Sequence, residues 1–177
     1  MITILYVEHA DSNAVKHVRK GLEKAFPGFS CEISQETLPV PKDAYDPARN
    51  QYNSSIILSS ILEYPKKHKA DRVLGITDLD LYIPHLNFVF GEAQYLGKAA
   101  IISLHRVKPE FYGQQPNYRL FCERAVKEAI HEIGHTMGLS HCNNIDCVMF
   151  FSLHIGMTDR KDPSFCEICH NRLASRS

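Results

Sequence analysis

Three histidines, His131, His135 and His141, have a spacing that could place them around one metal ion. Residues four apart share one face of a helix, so His131 and His135 can both direct a ring nitrogen at the same ion. Gly138 can adopt a left-handed conformation that ends the helix, and the resulting turn would bring His141 back as a third ligand. Three neutral imidazoles leave a fourth zinc position open, which is typical of catalytic zinc sites.

Glu132 follows the first histidine and is not needed as a ligand. Its carboxylate can reach a water bound by the ion, so the segment predicts metal-assisted hydrolysis. The alternative is a helix that carries histidines by chance, and an isolated HExxH segment would leave that alternative open. The longer HExxHxxGxxH pattern favours the metal site, because each fixed position in it has a mechanical role.

Four of the six cysteines lie in the last quarter of the chain, and their spacing predicts a second metal site. Cys142-x4-Cys147 and Cys166-x2-Cys169 supply two short-spaced pairs of thiolates, which suit a tetrahedral zinc. Such a site is closed to substrate, and it would serve to fold a C-terminal segment too short to have its own core. The alternatives are two disulfides or redox-active thiols, which a reducing compartment disfavours.

The two predicted metal ions would be neighbours along the chain, because Cys142 directly follows His141. The structural zinc would then fix the backbone that presents His141, and its loss is expected to damage the catalytic site as well. The other two cysteines, Cys31 and Cys122, stand alone. We assign them no function, since a free cysteine is usually a small buried hydrophobic residue.

The composition predicts one ordinary globular domain. The chain has 177 residues, of which 44% are hydrophobic and 23% charged. Lys+Arg and Asp+Glu both number 20, and this neutral balance argues against a general binder of nucleic acid or anionic membrane. The apolar start, Met1–Val7, lacks the basic residues and cleavage site of a signal peptide, so we expect a first strand, no pro-segment before it, and a cytoplasmic protein.

The first half of the chain predicts alternating strands and helices that could support these sites. Apolar periodicity and helix end signals predict strands at Ile2–Val7, Ser30–Ser34 and Arg72–Thr77 and helices over Asn13–Phe26 and from Asp46-Pro47 to near Pro65. The second helix is placed there because Asp46-Pro47 resembles an N-cap followed by proline in the first helical position. Arg72–Thr77 is mostly apolar, so we expect it at the centre of the sheet.

Two further strands, Asn87–Gln94 and Lys98–Leu104, are expected to pair antiparallel, because Gly91 and Gly97 bracket the turn between them. Pro116-Asn117 then opens a long helix. This helix has an apolar core stripe of Cys122, Val126, Ala129, Ile133 and Met137. A separate face, expected to line a cleft, carries Arg124, Glu128, His131 and His135.

The C-terminal part is richer in cysteine and asparagine, and a last helix is expected from about Pro163 to Ala174. We interpret Gly138 as the border between two parts of a single domain. Residues 1–138 would form an upper α/β subdomain and residues 139–177 a small subdomain held by the cysteine site. The cleft would lie between them.

The combined pattern resembles the archaemetzincins, a branch of the metzincin metallopeptidases. The resemblance depends on the three histidines together with Cys142, Cys147-Val148-Met149 and Cys166-Glu167-Ile168-Cys169. Upstream stretches are also similar to the family: Arg49–Tyr52, Gly75–Tyr82 and Gly91–Ala93. The resemblance covers most of the chain.

The resemblance implies a catalytic zinc held by His131, His135 and His141, with Glu132 as general base and Met149 as the Met-turn methionine packed beneath the histidines. It implies a second zinc on Cys142, Cys147, Cys166 and Cys169, and therefore two zinc ions per chain. It also implies an α/β (α+β) metzincin-like fold. This fold has a twisted, mostly parallel sheet with an antiparallel edge strand, an active-site helix and a small zinc-stapled C-terminal subdomain.

We therefore expect a zinc-dependent metallopeptidase, selective for small peptides or aminopeptidase-like, because a freely active intracellular protease would be hazardous. Its partners would be peptide or protein substrates, without nucleic acid or membrane, and the chain would be a monomer. An extended substrate could add to the edge strand at Phe88–Gln94. Candidates for a second proton donor are Tyr112, Tyr118 and His154.

Two other functions stay open at this point. The first is a zinc-binding peptide-recognition protein with little or no hydrolytic activity, since ligands and a base do not guarantee a productive substrate pose. The second is a zinc-ribbon nucleic-acid module built on the four cysteines. The neutral net charge disfavours that module, and Arg160 and Lys161 are the only arginine and lysine between Gly138 and Phe165.

Overall fold

The computed structural model of the chain describes residues 1–175 and is built around a five-stranded sheet. The strands are β1 Ile2–Val7, β2 Cys31–Leu38, β3 Tyr45–Asp46, β4 Gln51–Asn53, β5 Arg72–Thr77, β6 Leu81–Tyr82, β7 Gly91–Ala93 and β8 Ala99–Ser103. The α-helices are α1 Ser12–Ala25, α2 Ser54–Ile61, α3 Tyr64–Lys67, α4 Tyr118–Thr136, α5 Ile155–Arg160 and α6 Glu167–Ala174.

The central sheet has the strand order β2-β1-β5-β8-β7. Its first four strands run parallel, and β7 pairs antiparallel with β8 at the edge. This confirms the predicted mostly parallel sheet with an antiparallel edge strand. It also confirms Arg72–Thr77 as a central strand, buried between β1 and β8. A smaller sheet, β3-β4-β6, was not predicted.

Helices cover both faces of the central sheet, because successive side chains of a strand point to opposite faces. Ile4 and Ile102 pack on the face covered by α1 and α4, whereas Leu5 and Ile101 pack on the face covered by α2. The first of these cores continues beyond α4 into buried residues of the C-terminal part: Leu139, Cys147, Val148, Met149 and Cys169. The C-terminal part therefore packs on the same core as the sheet.

The predicted helix start at Asp46-Pro47 is wrong. The Asp46 carboxylate accepts hydrogen bonds from two backbone N–H groups just after it, and Asp46 pairs with Gln51 in the antiparallel β3–β4 hairpin. Helix α2 begins at Ser54, with Asn53 as its N-cap. An aspartate side chain that accepts local N–H groups stabilises a turn as readily as a helix start, and here it forms a turn.

Several other predicted boundaries shift. Strand β2 runs on to Leu38, with an irregularity in its pairing with β1. Helix α2 ends at Ile61, and Pro65 lies inside the short helix α3. The last helix begins at Glu167 and not at Pro163.

The long helix α4 begins as predicted, with the Asn117 side chain accepting the backbone N–H of Leu120. Its apolar stripe is buried in the core except for Val126, which is half-buried against it. Arg124 does not line a cleft as expected. Arg124 is buried in an ion pair with Asp159. Within residues 1–175, the helices lack the combination of length and apolar character that a membrane crossing requires.

Candidate metal centre

The three predicted histidines come together at the end of α4. Their candidate ligand nitrogens all lie within 4.8 Å of one another, and the Nε2 atoms of His131 and His135 are 3.0 Å apart. Nitrogens bound to one tetrahedral zinc at about 2.0 Å would lie about 3.3 Å apart. Gly138 has a φ of +85°, and this left-handed residue turns the chain so that His141 reaches the other two rings.

Backbone carbonyls fix the orientation of the two helix histidines. The Nδ1 atom of His131 lies 2.8 Å from the Val148 carbonyl oxygen, and that of His135 lies 2.7 Å from the Leu139 carbonyl oxygen. A carbonyl can only accept, so Nδ1 carries the hydrogen in each ring and Nε2 keeps its lone pair for a metal. Burial lowers the pKa of both histidines, and the neutral imidazole that results is the form that binds metal.

Glu132 is 6% exposed and lies against the edge strand. A Cβ atom added to Gly91 would be 2.7 Å from Glu132 Cγ and 2.7 Å from the Ile101 carbonyl oxygen. Gly91 has no side chain, so the strand can pass close over Glu132. Gly91 is also the first residue of β7 and does not flank the turn as predicted. Burial, and then the Glu128 and Glu92 carboxylates, raise the pKa of Glu132 well above its ordinary value, which suits a proton acceptor.

Two cavities meet at His131 and Glu132. The first has a volume of about 230 Å³ and is lined by α4, including Glu128, and by residues 86–91 and 151–153. The second has a volume of about 400 Å³ and is lined by all three histidines, by β7 and by Tyr95. A peptide bond placed between them would lie beside both the histidine nitrogens and the Glu132 carboxylate.

The residues suggested as a second proton donor do not line either cavity. The Tyr118 hydroxyl donates to an aspartate carboxylate at 2.6 Å, the Tyr112 hydroxyl donates to a backbone carbonyl at 2.7 Å, and His154 precedes α5. Tyr95 was not predicted as a site residue, but it lines the second cavity and its hydroxyl donates to the Gly138 carbonyl at 3.0 Å. A tyrosine in the turn between two strands carries no signal that would mark it as a site residue.

A network of buried charges lies behind the histidines and was also missed. The side chain of Lys161 is 0% exposed, and its ammonium nitrogen lies 3.1 Å from Glu128 Oε1. Thr158 donates to the same oxygen at 2.9 Å, and the Arg124 guanidinium binds both oxygens of Asp159 at 2.6 and 2.7 Å. These contacts attach the α5 segment to α4.

Met149 is buried directly against α4. A Cβ atom added to Gly134, between the two helix histidines, would lie 2.6 Å from Met149 Sδ. The Met149 carbonyl accepts the backbone N–H of Cys142 at 2.9 Å, so the turn that carries the methionine also holds the chain just after His141. This position matches a packing role beneath the histidines.

The four C-terminal cysteines form a second cluster, with their Sγ atoms within 4.8 Å of one another. Cys142 and Cys166 have an Sγ–Sγ distance of 3.7 Å. Sulfurs bound to one tetrahedral zinc at about 2.3 Å would be about 3.8 Å apart, so the thiols fit this ion. Within residues 1–175 every cysteine is a free thiol, which disfavours the disulfide alternative.

One thiol of the cluster ionises readily. Burial acts to raise the pKa of Cys166, but hydrogen bonds from the Cys169 backbone N–H and from the neighbouring thiols lower it to about 7. Metal binding requires the thiolate form of cysteine. The cluster therefore provides a ligand in the correct state at neutral pH.

Comparisons with known proteins identify the family of the chain. The profile of Peptidase family M54 matches residues 9–175. The archaemetzincin of Methanocaldococcus jannaschii is 44% identical over 175 residues, which cover 99% of this chain and 93% of that protein. The crystal structure of archaemetzincin from Archaeoglobus fulgidus, complexed with malonate, matches with a TM-score of 0.82 at 35% identity and covers 97% of this chain and 99% of that chain.

A third match is the crystal structure of a zinc-dependent peptidase from Methanocorpusculum labreanum, with a TM-score of 0.87 at 29% identity. It covers 98% of this chain and 100% of that chain. The agreement in sequence and in fold extends over nearly the whole chain. The chain therefore belongs to peptidase family M54, the archaemetzincins, and is a zinc metallopeptidase.

Proposed function

We propose that this metallopeptidase holds two zinc ions and cleaves peptide bonds with Glu132 as its general base. The catalytic zinc is assigned to His131, His135 and His141. The structural zinc is assigned to a closed set of four thiolates, Cys142, Cys147, Cys166 and Cys169. The observation that carries the proposal is the convergence of three imidazole nitrogens within 4.8 Å beside a buried glutamate.

The histidines, Glu132 and two backbone carbonyls each have a separate role in the proposed hydrolysis. A zinc bound by the histidines supplies a Lewis acid that polarises the scissile carbonyl and lowers the pKa of water towards about 7. Glu132 takes a proton from the water molecule while the water oxygen attacks the carbonyl carbon. Glu132 then returns that proton to the leaving amine as the C–N bond breaks. The carbonyls of Val148 and Leu139 keep the two helix imidazoles in the orientation that this arrangement needs.

The edge strand supports a short, extended substrate. Among the described residues β7 has a hydrogen-bonded neighbour only in β8, so its other edge is available for strand addition. The paired part covers Gly91–Ala93 and is thus shorter than the predicted segment Phe88–Gln94. Three residues provide pairing for a short peptide, which favours small substrates. Aminopeptidase-like cleavage is tested by comparing peptides with free and acetylated amino termini.

A metal count and a single substitution test the proposal. We expect two zinc ions per chain in the purified protein. Glu132→Gln is expected to retain both zinc ions and to lower peptide turnover by about 10² to 10⁴ fold, the usual contribution of a general base. The matched control is Glu123→Gln on the exposed surface of the same helix, which should leave turnover unchanged.

Three outcomes would contradict this assignment. Unchanged turnover in Glu132→Gln would remove the glutamate from the mechanism. Peptide binding without turnover by the zinc-loaded chain would instead support the peptide-recognition function. Tight binding of RNA or DNA at low salt would support the nucleic-acid module. The cytoplasmic location and the monomeric state stay predictions from the sequence.

A further inference from the structure

We propose that Glu128 determines substrate specificity by accepting a hydrogen bond from the tip of a substrate side chain. That side chain would belong to a residue that flanks the scissile bond and would enter the first cavity. The chemistry recognised is a long apolar stem with a hydrogen-bond donor at its end, as in tyrosine or lysine. The inference rests on the proposed function, since it needs a peptide bond placed between the histidines and Glu132.

The walls of this cavity suit an apolar stem. It has a volume of about 230 Å³ and reaches the catalytic centre at His131 and Glu132. Aromatic and aliphatic residues make up half of the lining: Leu86, Phe88, Val89, Phe90, Phe151 and Leu153. A side chain that enters here loses contact with water, so any polar group at its tip needs a partner inside the cavity.

Glu128 supplies such a partner. It lines the cavity although its side chain is only 4% exposed. Its Oε1 atom accepts a hydrogen bond from the Thr158 hydroxyl at 2.9 Å and lies 3.1 Å from the Lys161 ammonium nitrogen in an ion pair. Its Oε2 atom receives no hydrogen bond from residues 1–175 and is not among their fully enclosed polar atoms. One oxygen is thus fixed by the protein, and the other is open to a donor from the cavity.

The ion pair explains why the donor can be neutral. Lys161 is fully buried and balances the charge of Glu128, so the pair does not require a cation to compensate it. A tyrosine hydroxyl and a lysine ammonium can both donate to the open oxygen. A site that hydrogen-bonds a substrate group rejects the analogue that lacks it, because the buried acceptor would be left unpaired.

Matched peptides test the inference on the zinc-loaded full chain. Within each pair the peptides differ only by Tyr or Phe, or by Lys or norleucine, at one of the two residues that flank the scissile bond. At one flanking position we expect kcat/KM to be at least about tenfold higher for the donor-bearing member of a pair. A preference for tyrosine alone, for lysine alone or for both supports the inference and identifies the donor.

A double variant separates recognition from folding. The double variant Glu128→Gln with Lys161→Met keeps the volumes of both side chains and leaves no unpaired buried charge. The glutamine keeps an acceptor for Thr158 and puts an amide N–H₂ group in place of the open oxygen. The preference for the donor-bearing peptide should fall to about one or reverse. The preference is a ratio within one protein sample, so a partial loss of folded protein does not change it.

Binding measurements separate this inference from the proposed function. The same peptides are titrated into zinc-loaded Glu132→Gln protein by calorimetry, which reports the preference without turnover. If the wild type shows no turnover but the donor-bearing peptides bind more tightly, the proposed peptide hydrolysis is overturned and the role of Glu128 is supported. Equal kcat/KM and equal binding within both pairs at both positions would overturn that role, as would a preference unchanged in the double variant.

Discussion

At the scale of single residues, Gly91 shows how closely the position of Glu132 is constrained. In Gly91→Ala the new Cβ atom would lie 2.7 Å from Glu132 Cγ and 2.7 Å from a backbone carbonyl oxygen. The glutamate must then move, and a misplacement of about 1 Å can cost about 10² fold in rate. We expect turnover to fall by about that factor with zinc content unchanged, as measured by peptide kinetics and elemental analysis.

Gly28→Ala is the matched control, because a Cβ atom at Gly28 would meet nothing within 4 Å. This variant should keep the wild-type rate. Full activity in Gly91→Ala would show that the edge strand does not restrict Glu132. Loss of zinc in the same variant would show that the strand supports the histidines instead.

Met149 allows a second residue-scale prediction. Leucine has a similar volume and can fill the space below Gly134, so Met149→Leu should keep its zinc and most of its activity. Met149→Ala should lower the free energy of unfolding by about 2 to 5 kcal/mol through the cavity it leaves. Thermal melts and metal analysis check both variants. Complete loss of metal in Met149→Leu would show that the sulfur has a role beyond packing.

The sequence predicted the histidine cluster because that cluster is local. Helix geometry alone places His131 beside His135, and Gly138 has the positive φ that the turn to His141 needs. Lys161 and Tyr95 reach the site only through the folding of distant segments. Their neighbours in the sequence therefore gave no indication of a role.

At the scale of elements, an irregular segment forms one wall of the first cavity. Much of residues 86–91 lies outside regular secondary structure and is held by side chains from elsewhere. Arg49 donates to the carbonyl oxygens of Leu86 and Asn87 at 2.7 and 3.1 Å, and Gln51 donates to that of Asn87 at 2.9 Å. Arg49 and Gln51 belong to one of the stretches that resemble the family, and in this chain that stretch supports the cavity wall.

Arg106 completes the support of this wall. Its guanidinium binds both oxygens of Asp80 at 2.7 and 2.8 Å and lies 4.5 Å from the centre of the Phe88 ring. A lysine cannot make the bidentate contact, so Arg106→Lys should loosen the wall. We expect KM to rise about tenfold, equivalent to about 1.4 kcal/mol, with kcat within about twofold. Steady-state kinetics with a peptide that fills the first cavity measures both constants.

Arg119→Lys is the control for this substitution, because Arg119 is 89% exposed on α4. It should change neither constant. If Arg106→Lys lowered kcat and zinc content together and left KM unchanged, its role would be in folding and not in holding the cavity wall.

The secondary-structure elements were predicted correctly where nearby residues determine them, and incorrectly where distant segments do or where the local signal is ambiguous. Arg72–Thr77 and the helix start at Pro116-Asn117 were predicted correctly, because a continuous apolar run and a helix start signal are visible in a few residues. Asp46-Pro47 was misplaced because its local signal is shared by turns and helix starts. The segment before Gly91 was predicted as strand, since its apolar residues gave no sign that distant arginines would hold it as a loop.

At the scale of the whole molecule, the cysteine cluster and the histidines share one piece of backbone. Cys142 follows His141 directly, and its N–H donates to the Met149 carbonyl at 2.9 Å. Cys166 reaches the cluster from beyond α5 and donates its backbone N–H to Cys147 Sγ at 3.3 Å. We therefore propose that the part after Gly138 acts as a subdomain whose zinc holds His141 in position.

Cys166→Ser tests this coupling. A serine replaces one of four thiolates by a poor zinc ligand, so we expect the structural zinc to be lost and the melting temperature to fall. Turnover should fall by more than about tenfold, because a displaced His141 weakens the catalytic site about 1.4 kcal/mol or more. Cys31→Ser is the control: burial raises the pKa of Cys31 to about 12, and this thiol lies outside the cluster. That control should keep two zinc ions. An unchanged zinc content and an unchanged position of His141 in Cys166→Ser would show that the two centres are independent.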